Sequence, residues 1–145
     1  GTKKKTFFGN NNKILGGVYV HHDCQIYDNT CIYPRASLCG HVQLLNNANV
    51  GSCAFIHQNI IIGQYAMIGG NSTITKHAFP YYVNINNKLT RLNHHKITEG
   101  IKQYECLLMK CSEEYNKKKK ILLTNEIPEI ILCDLKLFLT HVEHK

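Results

Sequence analysis

A chain of 145 residues and 16.6 kDa reads as one domain with room for a small appendage, and it needs no disulfide or metal to fold. Lys and Arg outnumber Asp and Glu by 17 to 10, a net charge of +7. Fifteen of those bases are Lys, beside 15 Asn and 16 Ile, a mix that follows A/T-rich coding and argues against a nucleic-acid partner. No apolar run approaches the roughly 18 residues of a membrane span. Seven Cys without a C-x-x-C argue against a disulfide framework and a zinc ribbon, and for a reducing compartment.

The chain opens at Gly1 without a signal-peptide pattern, as expected of a mature form or a fragment. From Phe8 a period of six begins. Phe8, Ile14, Val20, Ile26, Ile32, Leu38, Leu44, Val50, Ile56, Ile62, Ile68 and Ile74 are all large and apolar. The residues four further on are mostly small, as at Cys24, Ala36, Ala48, Ala54, Ala66 and Ala78. Six fits neither the 3.6-residue period of a helix nor the alternation of a simple strand. It fits a triangular coil, each six-residue segment making one flat side and one corner, with Gly and Asn suited to the left-handed backbone of the corners. The expected fold is a parallel β-helix of about four 18-residue turns over residues 1–80.

The period stops at Pro80. Residues 81–97 read as a loop. Residues 98–116 read as a helix with Ile101, Tyr104, Leu108, Cys111 and Tyr115 on one stripe. Lys117–Lys120 reads as a solvated linker. Residues 128–143 read as a second helix, Pro128 near its start and Ile131, Leu135, Phe138 and Val142 inward. The helical region 98–145 is expected to cover an open end of the coil or a neighbouring subunit.

Residues 18 apart stack at roughly 4.8 Å. The corner after Val20, Leu38, Ile56 and Ile74 then gathers every His of the repeat: His21, His22, His41, His57 and His77. The other two corners carry ordinary turn residues. Three chemistries compete here. A three-His zinc site, as in the carbonic anhydrases built on such a coil, needs a third ligand five residues past His57, and Ile62 stands there. Cys39 lies beside His21 and His57, but inward Cys is common filler. The remaining chemistry is His acting as general base on a substrate hydroxyl.

The segments Val20-His21-His22-Asp23-Cys24, Cys39-Gly40-His41-Val42 and His57-Gln58, with Ile68-Gly69-Gly70, resemble the UDP-N-acetylglucosamine O-acyltransferases. These hexapeptide-repeat enzymes open lipid A biosynthesis. The similarity runs ungapped from about Gly9 to Pro80, resumes at Glu99-Gly100 and Pro128-Glu129, and places the chain in the C-terminal half of the family's protein, with further coils upstream. The resemblance implies a left-handed helix and a homotrimer with sites between subunits. It implies transfer of a (hydroxy)acyl group from acyl carrier protein to the 3-hydroxyl of UDP-N-acetylglucosamine, with no metal and no cofactor. It puts the general base on His22, its acidic neighbour on Asp23 and the oxyanion-binding amide on Gly40. Sugar-nucleotide contacts fall on His41, His57 and Gln58, and on Tyr19, where the family has His. The family's nucleotide-contacting Arg aligns with Gln103. A soluble protein of the cytoplasm or plastid stroma, not secreted, is expected. Two other readings stay open: an acyltransferase with a different acceptor, and an inactive trimeric scaffold.

Overall fold

The computed structural model describes residues 5–95, 99–121 and 127–144. Expectations for residues 1–4, 96–98, 122–126 and 145, including the first residue of the expected helix at 98, lie outside them. Twelve two-residue strands follow one another. They are β1 (Phe7–Phe8), β2 (Lys13–Ile14), β3 (Tyr19–Val20), β4 (Gln25–Ile26), β5 (Cys31–Ile32), β6 (Ser37–Leu38), β7 (Gln43–Leu44), β8 (Asn49–Val50), β9 (Phe55–Ile56), β10 (Ile61–Ile62), β11 (Met67–Ile68) and β12 (Thr73–Ile74). Each ends on one of the twelve large apolar residues of the six-residue period.

Every third strand pairs in parallel, giving three faces: β1-β4-β7-β10, β2-β5-β8-β11 and β3-β6-β9-β12. The register is 18 residues throughout, as in Val20↔Leu38, Leu38↔Ile56 and Ile56↔Ile74. This is the expected left-handed parallel β-helix of about four turns. Its corners repeat as strictly as its strands. A positive φ recurs at Asn11, Gly17, Asp23, Asn29, Arg35, His41, Asn47, Cys53, Asn59, Tyr65 and Asn71, six residues apart without a break. From Asn29 to Asn71 each of these corner residues also donates its N–H to a carbonyl 19 residues earlier, as His41 does to His22 and Asn59 to Gly40. Ile26, Ile32, Leu38, Leu44, Val50, Ile56, Ile62, Ile68 and Ile74 are fully buried inside the coil. Phe8 and Ile14, in the first described turn, remain half-exposed.

Beyond Pro80 the structure corrects three expectations. Residues 81–97 are not simply a loop: β13 (Tyr82–Ile85) pairs in parallel with β11 and turns back into antiparallel β14 (Lys88–Leu92). The turn is Asn86-Asn87, both at positive φ, the backbone a two-residue hairpin requires. Those side chains also close the coil. Asn86 Oδ1 accepts from Thr73 N, and Asn87 Oδ1 accepts from Thr75 N and Lys76 N. Donors that would otherwise fray the last edge are thereby satisfied.

The expected helix 98–116 is two helices, α1 (Glu99–Lys102) and α2 (Glu105–Lys118), broken at Gln103-Tyr104. Lys117 and Lys118 belong to the last turn of α2 rather than to a linker, where cations meet the negative end of the helix dipole. Lys119 closes it in a left-handed cap. The third helix, α3 (Glu129–Glu143), buries Ile131, Leu135 and Phe138.

The helices form a second apolar core on the outside of the coil. Leu45 and Ile61 point outward from the coil and meet Phe79, Tyr81, Leu92, Leu108, Tyr115, Leu135 and Phe138. Polar contacts fix α3. Tyr81 donates from its hydroxyl to Asp134, with Tyr65 stacked on the Tyr81 ring at 5.6 Å. Burial pushes the Asp134 carboxyl above its ordinary value, against the opposing pull of the Tyr81 hydrogen bond. A raised carboxylate pKa means that the folded state holds its proton more tightly than the unfolded chain. Its contribution is complete below pH 3.8, the ordinary value, and is lost as pH rises through the raised one. Asp134→Asn keeps a hydrogen-bonding group at that position and removes the titration. Denaturant melts across that pH window should show wild-type stability falling relative to the Asn variant; parallel curves would show that Asp134 does not titrate with folding.

Candidate functional site

The corner after β3, β6, β9 and β12 stacks in the order read from the sequence. His21, Cys39, His57 and Thr75 form one column, and His22, Gly40, Gln58 and Lys76 the next. The third column is Asp23, His41, Asn59 and His77. The third column is the left-handed corner position itself: Asp23 has φ 60° and His41 φ 61°. Asn occupies that position in five of the coil's eleven corners, Asn11, Asn29, Asn47, Asn59 and Asn71. Asp23 and His41 put functional groups at that left-handed position, which Arg35, Cys53 and Tyr65 also fill with side chains other than Asn or Gly.

Four of the expected residues meet. His22 Nδ1 lies 2.9 Å from Asp23 Oδ2. His41 Nε2 lies 3.6 Å from the same oxygen, and the two imidazoles are perpendicular with centroids 5.2 Å apart. One carboxylate oxygen thus faces both rings. The Asp23 side chain is only 10% exposed, whereas His22 is 72% exposed. An ionised carboxylate can only accept, so His22 Nδ1 is the donor to it and the lone pair of a neutral ring falls on Nε2. Asp23 thereby fixes both the tautomer and the plane of the ring.

Gly40 supplies the space. A Cβ built there would lie 2.7 Å from Cε1 and 2.8 Å from Nε2 of His22, so the reactive edge of the imidazole rests over the bare Cα. Gly40 is buried beneath that ring, and among the described residues its amide has no acceptor, although Asn10 N and Asp28 N, at equivalent places on another corner, are each taken by a side chain one coil on. A proton acceptor and an unused N–H donor thus lie side by side, as acyl transfer requires.

Tyr19, His57 and Gln58 stand exposed on the same side of the coil, and among the described residues no hydrogen bond, ion pair or ring contact joins their side chains to the His22 group. Gln103 lies in the break between α1 and α2, where its side chain donates to Gly100 O at 3.1 Å. Reading single roles for each residue misses that Asp23 faces two imidazoles; the signal was the 18-residue offset between Asp23 and His41. His22, Asp23 and His41 also place their ligand atoms within 4.8 Å of one another, a spacing that a metal ion could use. Among the described residues no helix is long and apolar enough to cross a membrane.

No family model matches the chain. Over 90 residues it is 38% identical to the acyl-[acyl-carrier-protein]–UDP-N-acetylglucosamine O-acyltransferase of Nautilia profundicola, covering 61% of this chain and 35% of that one. The same enzyme of Burkholderia orbicola is 31% identical over 83 residues, covering 57% and 32%. The chain therefore spans about a third of the length of these curated relatives. In fold it is similar to the UDP-N-acetylglucosamine acyltransferase from Campylobacter jejuni, with a TM-score of 0.71 at 20% identity over 91% of this chain and 66% of that one. The resemblance carried by the H-D-C, G-H-V and H-Q segments is thus matched in sequence and in fold.

Gly40→Ala isolates the geometry. The methyl collides only with an exposed side chain that can swing away, so stability should change by about 1 kcal/mol or less. The His22–Asp23 hydrogen bond should be lost. Ring 15N NMR should show His22 in the Nδ1–H tautomer in wild type and in a solvent-like tautomer mixture in the variant. An unchanged His22 spectrum would mean that Gly40 does not position the ring.

Proposed function

We propose that this chain carries the acyl-transfer site of a UDP-N-acetylglucosamine O-acyltransferase. It moves a (hydroxy)acyl group from acyl carrier protein to the 3-hydroxyl of UDP-N-acetylglucosamine. The observation that carries the reading is His22, oriented by Asp23 at 2.9 Å and resting over Gly40, whose amide donates no hydrogen bond among the described residues. Sequence relatives at 31–38% identity bear the name of this activity.

In this mechanism His22 Nε2 removes the proton from the sugar hydroxyl as its oxygen attacks the thioester carbonyl carbon. The carbonyl oxygen becomes an oxyanion and takes the Gly40 N–H. The intermediate collapses, the carbon–sulfur bond breaks, and the departing thiolate recovers the proton from the imidazolium. The products are the O-acyl sugar nucleotide and the free carrier thiol. Asp23 holds the ring and stabilises its transient positive charge. His41, His57, Gln58 and Tyr19 contact the sugar nucleotide. The reaction uses neither metal nor cofactor.

A convex corner offers a substrate only one wall, and a small-molecule site needs concavity. The proposal therefore includes a homotrimer in which a neighbouring subunit faces the His ridge. Light-scattering mass at micromolar concentration should be that of three chains; a monomer would leave the ridge without its second wall and count against the enzyme.

His22→Ala in the full-length protein should lower turnover about a hundredfold to ten-thousandfold, with sugar-nucleotide affinity largely retained. His41→Ala and His57→Ala should weaken binding more evenly. Full activity in His22→Ala would place the base elsewhere. Absence of transfer by wild type with every acyl length tried would favour an inactive scaffold.

A further inference from the structure

Asp23 faces two imidazoles, and orienting the base needs only one. His22 Nδ1 lies 2.9 Å from Asp23 Oδ2, a hydrogen bond. His41 Nε2 lies 3.6 Å from the same oxygen, too far for one. The ligand atoms of the three side chains fall within 4.8 Å of one another, and no other three His, Cys, Asp or Glu among the described residues do so.

The distances suit a metal centre. Donor atoms about 2.0–2.1 Å from a tetrahedral zinc stand roughly 3.3 Å apart, and 2.9 and 3.6 Å bracket that separation. The third edge, between the imidazoles, closes by rotation of His22, whose side chain is 72% exposed. The backbone beneath is already locked. His41 N donates to His22 O at 3.1 Å, and Asp23 and His41 share one left-handed corner column, so only side chains need move. Asp23 brings one negative charge from a largely buried position, and the imidazoles bring neutral nitrogen. Two imidazoles and a carboxylate suit zinc rather than magnesium or calcium, which take oxygen ligands. The set also differs from the three-His arrangement that Ile62 interrupts.

We infer that His22, Asp23 and His41 form a reversible zinc site that switches the base off. Zinc takes His22 Nδ1, Asp23 Oδ2 and His41 Nε2, and leaves its fourth position to water. The Nδ1 proton goes to solvent. The neutral ring takes up one proton at Nε2, so the lone pair that would accept the substrate proton is gone. Zinc binding rests on the geometry alone. The inhibition rests on the reading of His22 as the base.

Calorimetric titration of the chelator-treated full chain with zinc chloride, followed in parallel by ring 15N NMR, tests it. One zinc per chain should bind saturably, and His22 should pass from the Nδ1–H to the Nε2–H tautomer. Magnesium should do neither. Asn holds the corner position at Asn11, Asn29, Asn47, Asn59 and Asn71, so Asp23→Asn and His41→Asn keep the backbone. Each should weaken zinc binding at least about tenfold, since loss of even a group that supports a ligand costs that much. His21→Ala, on the same corner, should bind zinc like wild type. Acyl transfer by the full-length protein should be lost with zinc and return with chelator. The inference is overturned if zinc does not saturate, if magnesium binds as well, or if both Asn variants bind zinc like wild type. It is overturned too if the His22 tautomer is unchanged on binding, if His21→Ala loses zinc as the Asn variants do, or if transfer persists with the site filled. A zinc-free wild type without transfer would sink the acyltransferase reading, and the titration and the tautomer switch would still decide this one.

Discussion

The left-handed residue that turns each corner is the constraint on which the rest of this molecule depends. An L-residue with a side chain adopts that backbone only at some cost, and here it recurs every six residues from Asn11 to Asn71. Once the corners are fixed, the strands can be no longer than two residues, the register can only be 18, and every residue sits above the one a turn before it. Burial then follows. One side chain per segment fills the centre, and a small residue or a hydroxyl, such as Ala36, Thr30 or Ser72, fits where the corner narrows. A one-residue slip in any segment would turn an Ile outward and a polar residue inward.

The same constraint turns a linear pattern into chemistry. In a helix or an ordinary sheet, His22, Asp23, Gly40 and His41 would have no fixed relation across the gap of 17 residues from Asp23 to Gly40. In the coil, Asp23 and His41 share a column and His22 and Gly40 share the one beside it. That is why one carboxylate oxygen lies 2.9 Å from one imidazole and 3.6 Å from another. The rigidity of the coil substitutes for a shell of supporting side chains: the corner hydrogen bond from His41 N to His22 O locks the two turns together directly beneath the rings.

The region after Pro80 obeys different rules. Nothing repeats there, and its structure rests on what it packs against. β13 adds to the sheet that β11 ends, and the Asn86-Asn87 turn serves both the hairpin and the exposed donors of the last coil. Phe79, Tyr115 and Phe138 form an aromatic cluster that joins coil, α2 and α3.

The coil was legible from the sequence alone. Twelve large apolar residues at a spacing of six leave few alternatives, since no helix or plain strand has that period. The columns follow arithmetically, so the His ridge and its neighbours Asp23 and Gly40 could be placed before any coordinate was known. The stripe positions of the helices were also readable, because an amphipathic face is a local pattern. The hairpin was missed although its signal, Asn-Asn between Tyr82–Ile85 and Lys88–Leu92, was present. A run of four or five residues has too little periodicity to declare itself a strand without the sheet edge it joins. The break at Gln103-Tyr104 and the Tyr81–Asp134 contact between coil and α3 lie further out of reach. Each depends on which surfaces meet across tens of residues with no fixed period. The repeat ties sequence distance to spatial distance only as far as Pro80; beyond it, packing alone decides.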